Sequence, residues 1–356
     1  MHAFCNTLES TRDASRCPGP RSEIGLEAGA FRPVQVTLHA NAPRHKTNET
    51  NEKMTTETAP AQALITAAVC TYNRYDTLAD TIGSLLAQSL PRQVYQILVV
   101  DNSPDADRAR QFARSYAANG LIRFVHLTES GLSNARNFAT GHCRSPYVAF
   151  IDDDAVAAPD WLANIVDLFE REPGDVAGVG GPAEPQWEAP RPPWLHDHLL
   201  GYVGVLNWGD KLFEADEDHW LIGTNVAYRR DVVEQVGGFR TDLGRRGSVL
   251  LSNEETELGS RLRLAGYRLL YSPAIRVKHR VAKQRLTREW IRRRVFWQAV
   301  SDLIAAESAP TIDPSSASRL PWDWWPRETS DPKKFSKQCY RIVNLLKQLD
   351  CGRRAA

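Results

Sequence analysis

Three consecutive aspartates, Asp152, Asp153 and Asp154, close an apolar run in the stretch YVAFIDDDAV. A strand over Tyr147 to Ile151 would deliver them at its carboxyl end. Side chains alternate along a strand, so Asp152 and Asp154 are expected on one side and Asp153 on the other. Two converging carboxylates suit a hard divalent cation such as Mg²⁺ or Mn²⁺, which takes oxygen ligands and fills its remaining sites with water and substrate phosphates. A solvated acidic turn or a helix cap would use the same residues, and spacing alone leaves both readings open.

Glu254 and Glu255 form a second acidic cluster, opening a stretch in which Leu258, Leu262 and Ala265 make a helical apolar stripe. SNEE fits a capping box, with Ser252 as N-cap and Glu255 three residues on, and acids favour the positive end of a helix in any case. The chemical alternative makes one of these carboxylates a general base for an attacking hydroxyl. His279, in IRVKHRV, is expected on the polar side of a strand or just past its end. It would be an ordinary imidazole there, or a third ligand for an ion such as Mn²⁺. GLSNARNFA, Gly131 to Ala139, reads as a helix start carrying Asn134, Arg136 and Asn137. Helix N-termini favour phosphate groups and Arg adds a fixed fork of donors. Neither GxxxxGK[ST] nor a GxGxxG after the first strand is present, which withdraws support from P-loop ATPases and dinucleotide-dependent dehydrogenases.

The elements that must position these residues follow from the hydrophobic rhythm. From Ala63 onward, LITAAVCTY, YQILVVD, IRFVHL, YVAFI and VAGVGGP are strand-like runs separated by helical stretches around 77–88, 107–118, 131–142 and 160–170. Such alternation implies right-handed βαβ units and a mainly parallel, Rossmann-like α/β sheet flanked by helices. Ligands of such sheets sit at the carboxyl ends of the strands, where this chain has TYN, VDNS and DDD. Beyond about Gly181 the rhythm gives way to a Pro- and Trp-rich stretch. It resumes with WLIGTNVAYRRDVVEQVGGF, the NEETELGSRLRLAGY helix and the strand-like RLLYSPAIRVKH. A basic helix over 287–306 and a last helix around Lys333 to Leu349 form a helical C-terminal appendage.

Composition bounds the function. The chain has 356 residues, 42% hydrophobic and 24% charged, and a net charge of +1, so nothing points to nucleic acid. Six cysteines without metal-ligand spacing read as free thiols of a reducing cytosol. No apolar run approaches the ~20 residues of a membrane span, and a cytoplasmic protein is expected. Residues 1–60 show no sustained period and are expected to be disordered or a non-native extension, with Met54 as the functional start. Peptides upstream of Met54 in the native protein would refute that start.

In order, AAVCTYNRYDTL, ILVVDNSPD, GLSNARNFA, YVAFIDDDAVAAPDWL, GTNVAYRRDVVEQVGGF and NEETELGSRLRLAGYRLLYSPAIRVKH resemble the successive motifs of family 2 glycosyltransferases of the GT-A fold. The resemblance runs from about Ile65 to Arg294. It implies a GT-A domain over 61–285, with a nucleotide-binding half at 61–180 and an acceptor-binding half at 181–285, before a helical region at 286–356. Thr71, Tyr72, Asn73 and Arg74 would line the nucleotide pocket, with the Tyr72 ring against the base. Asp101 would bond the base or ribose, and Asn134 and Arg136 would flank the nucleotide on its other side. Asp152 to Asp154 would be the DxD-type motif, Asp154 binding an Mg²⁺ or Mn²⁺ that bridges the phosphates while Asp152 or Asp153 holds the ribose or sugar. Glu255, or Glu254 beside it, falls where the family places its catalytic base, usually an Asp. His279 matches a position that supplies an extra metal ligand in some GT-A enzymes.

The implied activity is inverting transfer from a nucleotide-diphospho-sugar donor to a carbohydrate or lipid-linked acceptor, in polysaccharide, glycolipid or other glycoconjugate biosynthesis. A nucleotidyltransferase making nucleotide-sugars is the rival enzyme, but VCTYNRYDTL lacks its glycine-rich loop. A non-catalytic nucleotide- or carbohydrate-binding protein is the rival of another class, and the intact acidic clusters argue against it. Trp187, Trp194, Trp208 and Trp220 lie where an acceptor would bind, and one or two of them are expected to touch it. Trp322, Trp324 and Trp325 raise the same question. Nine Lys or Arg from Arg276 to Arg294, against Glu289 alone, could cover the diphosphate, lie on anionic lipid at the inner face of a membrane, or form a solvated helix face.

Overall fold

Ile65–Thr71 is β1, buried at almost every position because it is hydrogen-bonded on both edges and covered on both faces. The computed structural model describes residues 63–306 with 331, 334, 335 and 337. The expected N-terminal extension, Met54, the Trp322–Trp325 stretch, Cys5, Cys17, Cys339, Cys351 and most of the last expected helix lie outside the described residues.

After β1 come α1 (Tyr75–Leu86), β2 (Tyr95–Asp101), α2 (Ala106–Arg114), β3 (Ile122–His126), α3 (Leu132–His142), β4 (Tyr147–Asp152), β5 (Ala155–Ala157), α4 (Trp161–Arg171), β6 (Val176–Gly180) and β7 (Ala183–Trp187). The chain continues through β8 (Phe213–Glu214), β9 (Asn225–Arg229), α5 (Arg230–Gln235), α6 (Glu254–Leu264), β10 (Arg268–Tyr271), β11 (Val277–Val281) and α7 (Arg288–Ala305).

The main sheet runs β3-β2-β1-β4-β9-β6-β10-β8. Its strands are parallel except β9, antiparallel to both β4 and β6, and β8, antiparallel to β10. Register decides what the sheet presents. Thr71 pairs with Asp101 and Cys70 with Asp152, so β1, β2 and β4 end side by side and bring TYN, DNS and DDD to one edge.

RLLYSPAIRVKH, one strand-like run in the sequence, is two strands in the structure. β10 joins the main sheet, the chain turns at Ser272–Pro273, and β11 enters a second sheet of order β5-β11-β7. This small sheet ties the turn after the aspartates to the far end of the chain: His279 pairs with Ala155, and Arg280 N–H donates to Asp154 O at 2.8 Å.

Helix α1 faces the core with Leu78, Ile82 and Leu85, a helical stripe in which each buried Leu contributes roughly 2 kcal/mol. Its other contacts hold β5. Thr81 Oγ1 donates to Ala155 O (2.7 Å), Ala157 N–H donates to Ser84 Oγ (3.1 Å), and Gln88 Nε2 donates to Ala158 O (2.8 Å). Ile291 and Val295 of α7 join a second apolar cluster with Leu199, Val203 and Val281. No helix among the described residues is long and apolar enough to cross a membrane.

Candidate active site

Strand β4 ends at Asp152, and the two following aspartates form the turn into β5. Their carboxylates part. Asp152 accepts from Thr224 Oγ1 at 2.7 Å. Asp153 accepts from Thr71 Oγ1 (2.7 Å) and Arg74 Nη1 (3.1 Å). Asp154 accepts from Arg74 Nη1 (2.6 Å) and Arg285 Nη2 (2.9 Å) and stands 3.3 Å from His279 Nε2. Asp152, Asp154 and His279 each offer a ligand atom, all within 4.8 Å of one another. Asp154 Oδ1 and His279 Nδ1 are buried without a hydrogen-bond partner.

His279 departs from the expectation. It is 1% exposed in mid-strand, on the face it shares with Val277 and Val281, not on the polar side. Residues two apart on a strand share a face, so the apolar alternation that ends at Val277 carries His279 inward. Gly204 lets the ring in: at φ +80°, a Cβ there would lie 2.5 Å from His279 Cε1.

Burial and neighbouring charge set the triplet's protonation. Burial alone would push the Asp154 carboxyl up, but His279, Arg285 and Arg74 beside it hold it well below the usual carboxylate range. Asp153 is pushed up to about 7 by burial and by the charge on Asp154, against the opposing pull of Arg74. One of the two carries the negative charge and the other readily holds a proton. Behind them the Cys70 thiol is pushed up to about 12, chiefly by burial, which keeps it protonated at neutral pH.

The second acidic cluster does not cap its helix as expected. The N-cap of α6 is Asn253, at φ +73° and without a side-chain cap bond, and Ser252 Oγ donates to Gln298 Oε1 on α7 instead. Glu254 is buried and accepts from Arg136 Nη1 at 2.9 Å. Burial and the adjacent Glu255 push its carboxyl up to about 7 despite Arg136. Glu255 is half-buried; Gly223 N–H donates to its Oε1 at 3.3 Å, and its Oε2 has no partner.

Arg136 also sits differently from the place expected at the nucleotide's flank. It is 2% exposed, donates through Nη2 to Gly223 O (3.1 Å) and lies 3.7 Å from Asp152 Oδ1. Glu254 and Asp152 keep it charged although burial opposes this. A Cβ at Gly223 would come within 2.6 Å of its Nη2, so GTN needs its glycine for this approach. The start of α3, expected to face phosphate, is covered by the 243–245 loop. Leu132 N–H donates to Arg245 O (2.9 Å) and Ser133 Oγ to Leu243 O (2.8 Å).

Of the other expected residues, Thr71 and Arg74 join the triplet directly. Asn73 is held at φ +59° with its N–H donating to Ser103 Oγ (2.8 Å), and Tyr72 stands exposed at the rim. Asp101 is buried, with its oxygens taken by Tyr75 Oη (2.8 Å) and by the N–H of Ser103 (2.9 Å). Asn134 is set apart, donating to Glu129 Oε1 (2.8 Å). Trp187 and Trp194 pack on the second apolar cluster, and Trp208 meets Trp220 edge-on at 4.9 Å.

The basic stretch is not one face. Arg285, Arg292 and Arg294 are buried, which removes them from any lipid or solvated surface, while Arg276, Lys278 and Lys283 are exposed. Sequence reasoning missed Thr224, Gly204 and Arg285 as individual site residues. Only the density of positive charge after Arg276 hinted at the last.

Residues 66–237 match the family model described as glycosyl transferase family 2. Over 242 residues the chain is 30% identical to the glucosyl-dolichyl phosphate glucuronosyltransferase of Haloferax volcanii, covering 67% of this chain and 75% of that one. It is 28% identical over 243 residues to the succinoglycan biosynthesis protein ExoM of Rhizobium meliloti, covering 65% and 72%. Among solved structures, the mannosyltransferase PcManGT from Pyrobaculum calidifontis, in complex with GDP-Man and Mn²⁺, matches with a TM-score of 0.52. That likeness is one of fold: identity is 20%, over 86% of this chain and 82% of the other.

Proposed function

The chain belongs to glycosyl transferase family 2 and has the GT-A fold, and we propose that it transfers a sugar from a nucleotide-diphospho-sugar to an acceptor hydroxyl, with inversion, in polysaccharide or glycoconjugate synthesis. One observation carries this reading: Arg136 links the acidic triplet to the Glu254–Glu255 pair, so a metal-type donor set and a carboxylate with a bare oxygen share one crevice.

Asp152, Asp154 and His279 would hold a divalent cation. Two carboxylates and an imidazole suit Mn²⁺ or Mg²⁺, and the partnerless Asp154 Oδ1, 3.3 Å from His279 Nε2, fits a missing ligand. The chemistry supplied by such an ion, when bound, is neutralisation of the charge that develops on the departing diphosphate. The mannosyltransferase of like fold carries Mn²⁺ and GDP-Man.

Glu255 is the base in this reading. Both carboxylates keep an Oε2 without a partner, but Glu254 Oε1 is held by the Arg136 guanidinium in a buried pair, whereas Glu255 is half-buried and accepts only from Gly223 N–H. Glu255 takes the proton of the acceptor hydroxyl as that oxygen attacks the anomeric carbon from the face opposite the diphosphate. The carbon–oxygen bond to the diphosphate breaks, its electron pair leaves with the diphosphate, and the single displacement inverts the centre. Tyr72 stacks on the base, Thr71, Asn73 and Arg74 line the nucleotide pocket, and Asp101 contributes from one side.

A thermal-shift panel of UDP-, GDP- and dTDP-sugars with and without Mn²⁺ tests the donor, since a bound ligand stabilises by mass action. One donor class should raise the melting temperature only with the ion and then release its nucleoside diphosphate on turnover. A panel without any metal-dependent stabilisation would overturn the reading.

A further inference from the structure

Arg285 reaches two of the proposed cation ligands at once. Its Nη2 donates to Asp154 Oδ2 at 2.9 Å, and its Nη1 lies 3.2 Å from His279 Nε2. All three side chains are buried. A guanidinium has donors and no acceptor, so in the second contact the imidazole nitrogen accepts, and the ring proton then sits on Nδ1. Asp154 does not share that nitrogen: its Oδ1 stands 3.3 Å from His279 Nε2 yet has no hydrogen-bond partner.

The two nitrogens of an imidazole diverge, so an ion held jointly with Asp154 takes Nε2, the nitrogen beside that carboxylate. An unprotonated ring nitrogen has a single lone pair. The Arg285 N–H and a cation therefore claim the same electrons and cannot both have them. Asp154 is easier to share, because Arg74 Nη1 and Arg285 Nη2 both donate to Oδ2, at 2.6 and 2.9 Å, and leave Oδ1 to an ion. The backbone beneath Arg285 is held in the short turn Lys283–Leu286, where its N–H donates to Ala282 O at 2.8 Å. Release of His279 thus falls to the side chain alone.

The geometry points to Arg285 as a built-in competitor of the metal: a divalent cation gains its imidazole ligand only by displacing the Arg285 Nη1 contact from His279 Nε2. This role rests on the proposed metal site. It gives Arg285 the opposite sign to a supporting neighbour, whose removal costs a site affinity for its ion. Removing Arg285 should raise that affinity. Asp154 keeps Arg74 at 2.6 Å when Arg285 is replaced, so no buried carboxylate is stranded by the change.

The test titrates the full chain with Mn²⁺ alone, read by electron paramagnetic resonance without nucleotide. Arg285→Met, with its melting temperature checked, should bind Mn²⁺ about tenfold more tightly than the wild type, since one charge-assisted hydrogen bond no longer has to be displaced. Arg285→Lys keeps the charge but lacks the fork that spans Asp154 and His279, and should show part of that gain. Equal or weaker Mn²⁺ binding in Arg285→Met overturns the competition. So does a gain in Arg285→Met with wild-type affinity in Arg285→Lys, which would mean that charge alone repels the ion. Should the variants not fold, ¹⁵N spectra of the wild type decide: on titration with Zn²⁺ the His279 Nε2 and Arg285 guanidinium lines should move together, and guanidinium lines that stay while Nε2 moves refute the proposal. Mn²⁺ that binds neither wild type nor variant, with or without nucleoside diphosphate, removes the metal site itself and the competition with it, whereas equal binding to both removes the competition alone.

Discussion

Arg136 Nη1 donates to Glu254 Oε1 at 2.9 Å, joining two residues 118 apart in sequence inside a buried crevice. With its other amino group on Gly223 O and 3.7 Å from Asp152, Arg136 is the crosspiece between the acidic triplet and the Glu pair. It holds Glu254 through Oε1, while Gly223 N–H holds Glu255 through its own Oε1 at 3.3 Å.

Glu255→Gln should keep nucleoside diphosphate binding and lose transfer by about 100-fold or more, the scale of a removed general base. Glu254→Gln should lose less in turnover and show its effect in stability. Release of nucleoside diphosphate under saturating donor measures both, and full turnover by Glu255→Gln contradicts the assignment.

Removing the crosspiece strands charges on both sides. Arg136→Met leaves Glu254 uncompensated and weakens the hold on Asp152, at a cost of about 3–5 kcal/mol for one partner lost from a buried pair. Arg136→Lys should rescue little, because one ammonium cannot reach Glu254, Gly223 O and Asp152 in the geometry of a planar fork. Denaturant unfolding of the two variants gives the comparison, and wild-type stability in either would refute the role.

The proposed metal site can be probed through a residue that is not one of its ligands. Gly204→Ala places a Cβ 2.5 Å from His279 Cε1 at a φ of +80°, so the imidazole must shift. Mn²⁺ affinity, read by electron paramagnetic resonance in the presence of nucleoside diphosphate, should fall about tenfold, as when a residue supporting a metal ligand is changed. Asp154→Asn should fall further. Equal Mn²⁺ binding in both variants would remove Asp154 and His279 from the ligand set.

Stability should depend on pH through Glu254. Its carboxyl titrates at about 7 in the folded chain against an ordinary 4.5, so the folded state binds more protons across that window. The stability it contributes is full below about 4.5 and is lost as pH rises through about 7. The melting temperature of the wild type should therefore fall relative to Glu254→Gln between those values. A difference that is flat with pH would show that Glu254 titrates like an exposed acid.

The sequence by itself determined the frame. The run from Ile65 to Thr71, the matching runs ending at Asp101 and Asp152, and the helices between them follow from apolar periods only a few residues long, and parallel pairing then forces their carboxyl ends to one edge. The order of motifs sufficed for the family, and the Asp triplet and Glu pair were visible as candidate chemistry. Tertiary structure decided what those residues face. Local pattern supported a capping box for Ser252 and Glu255, but Ser252 turns to Gln298, and Asn253 opens the helix. His279 took its buried face from pairing with Ala155 in a second sheet that no local period announced. Arg285, one cation among nine in sequence, lies 2.9 Å from a carboxylate 131 residues earlier. Hydrophobic period is a short-range property and can be read along the chain; an ion pair depends on which distant segments the sheets bring together, and that is settled only when they close.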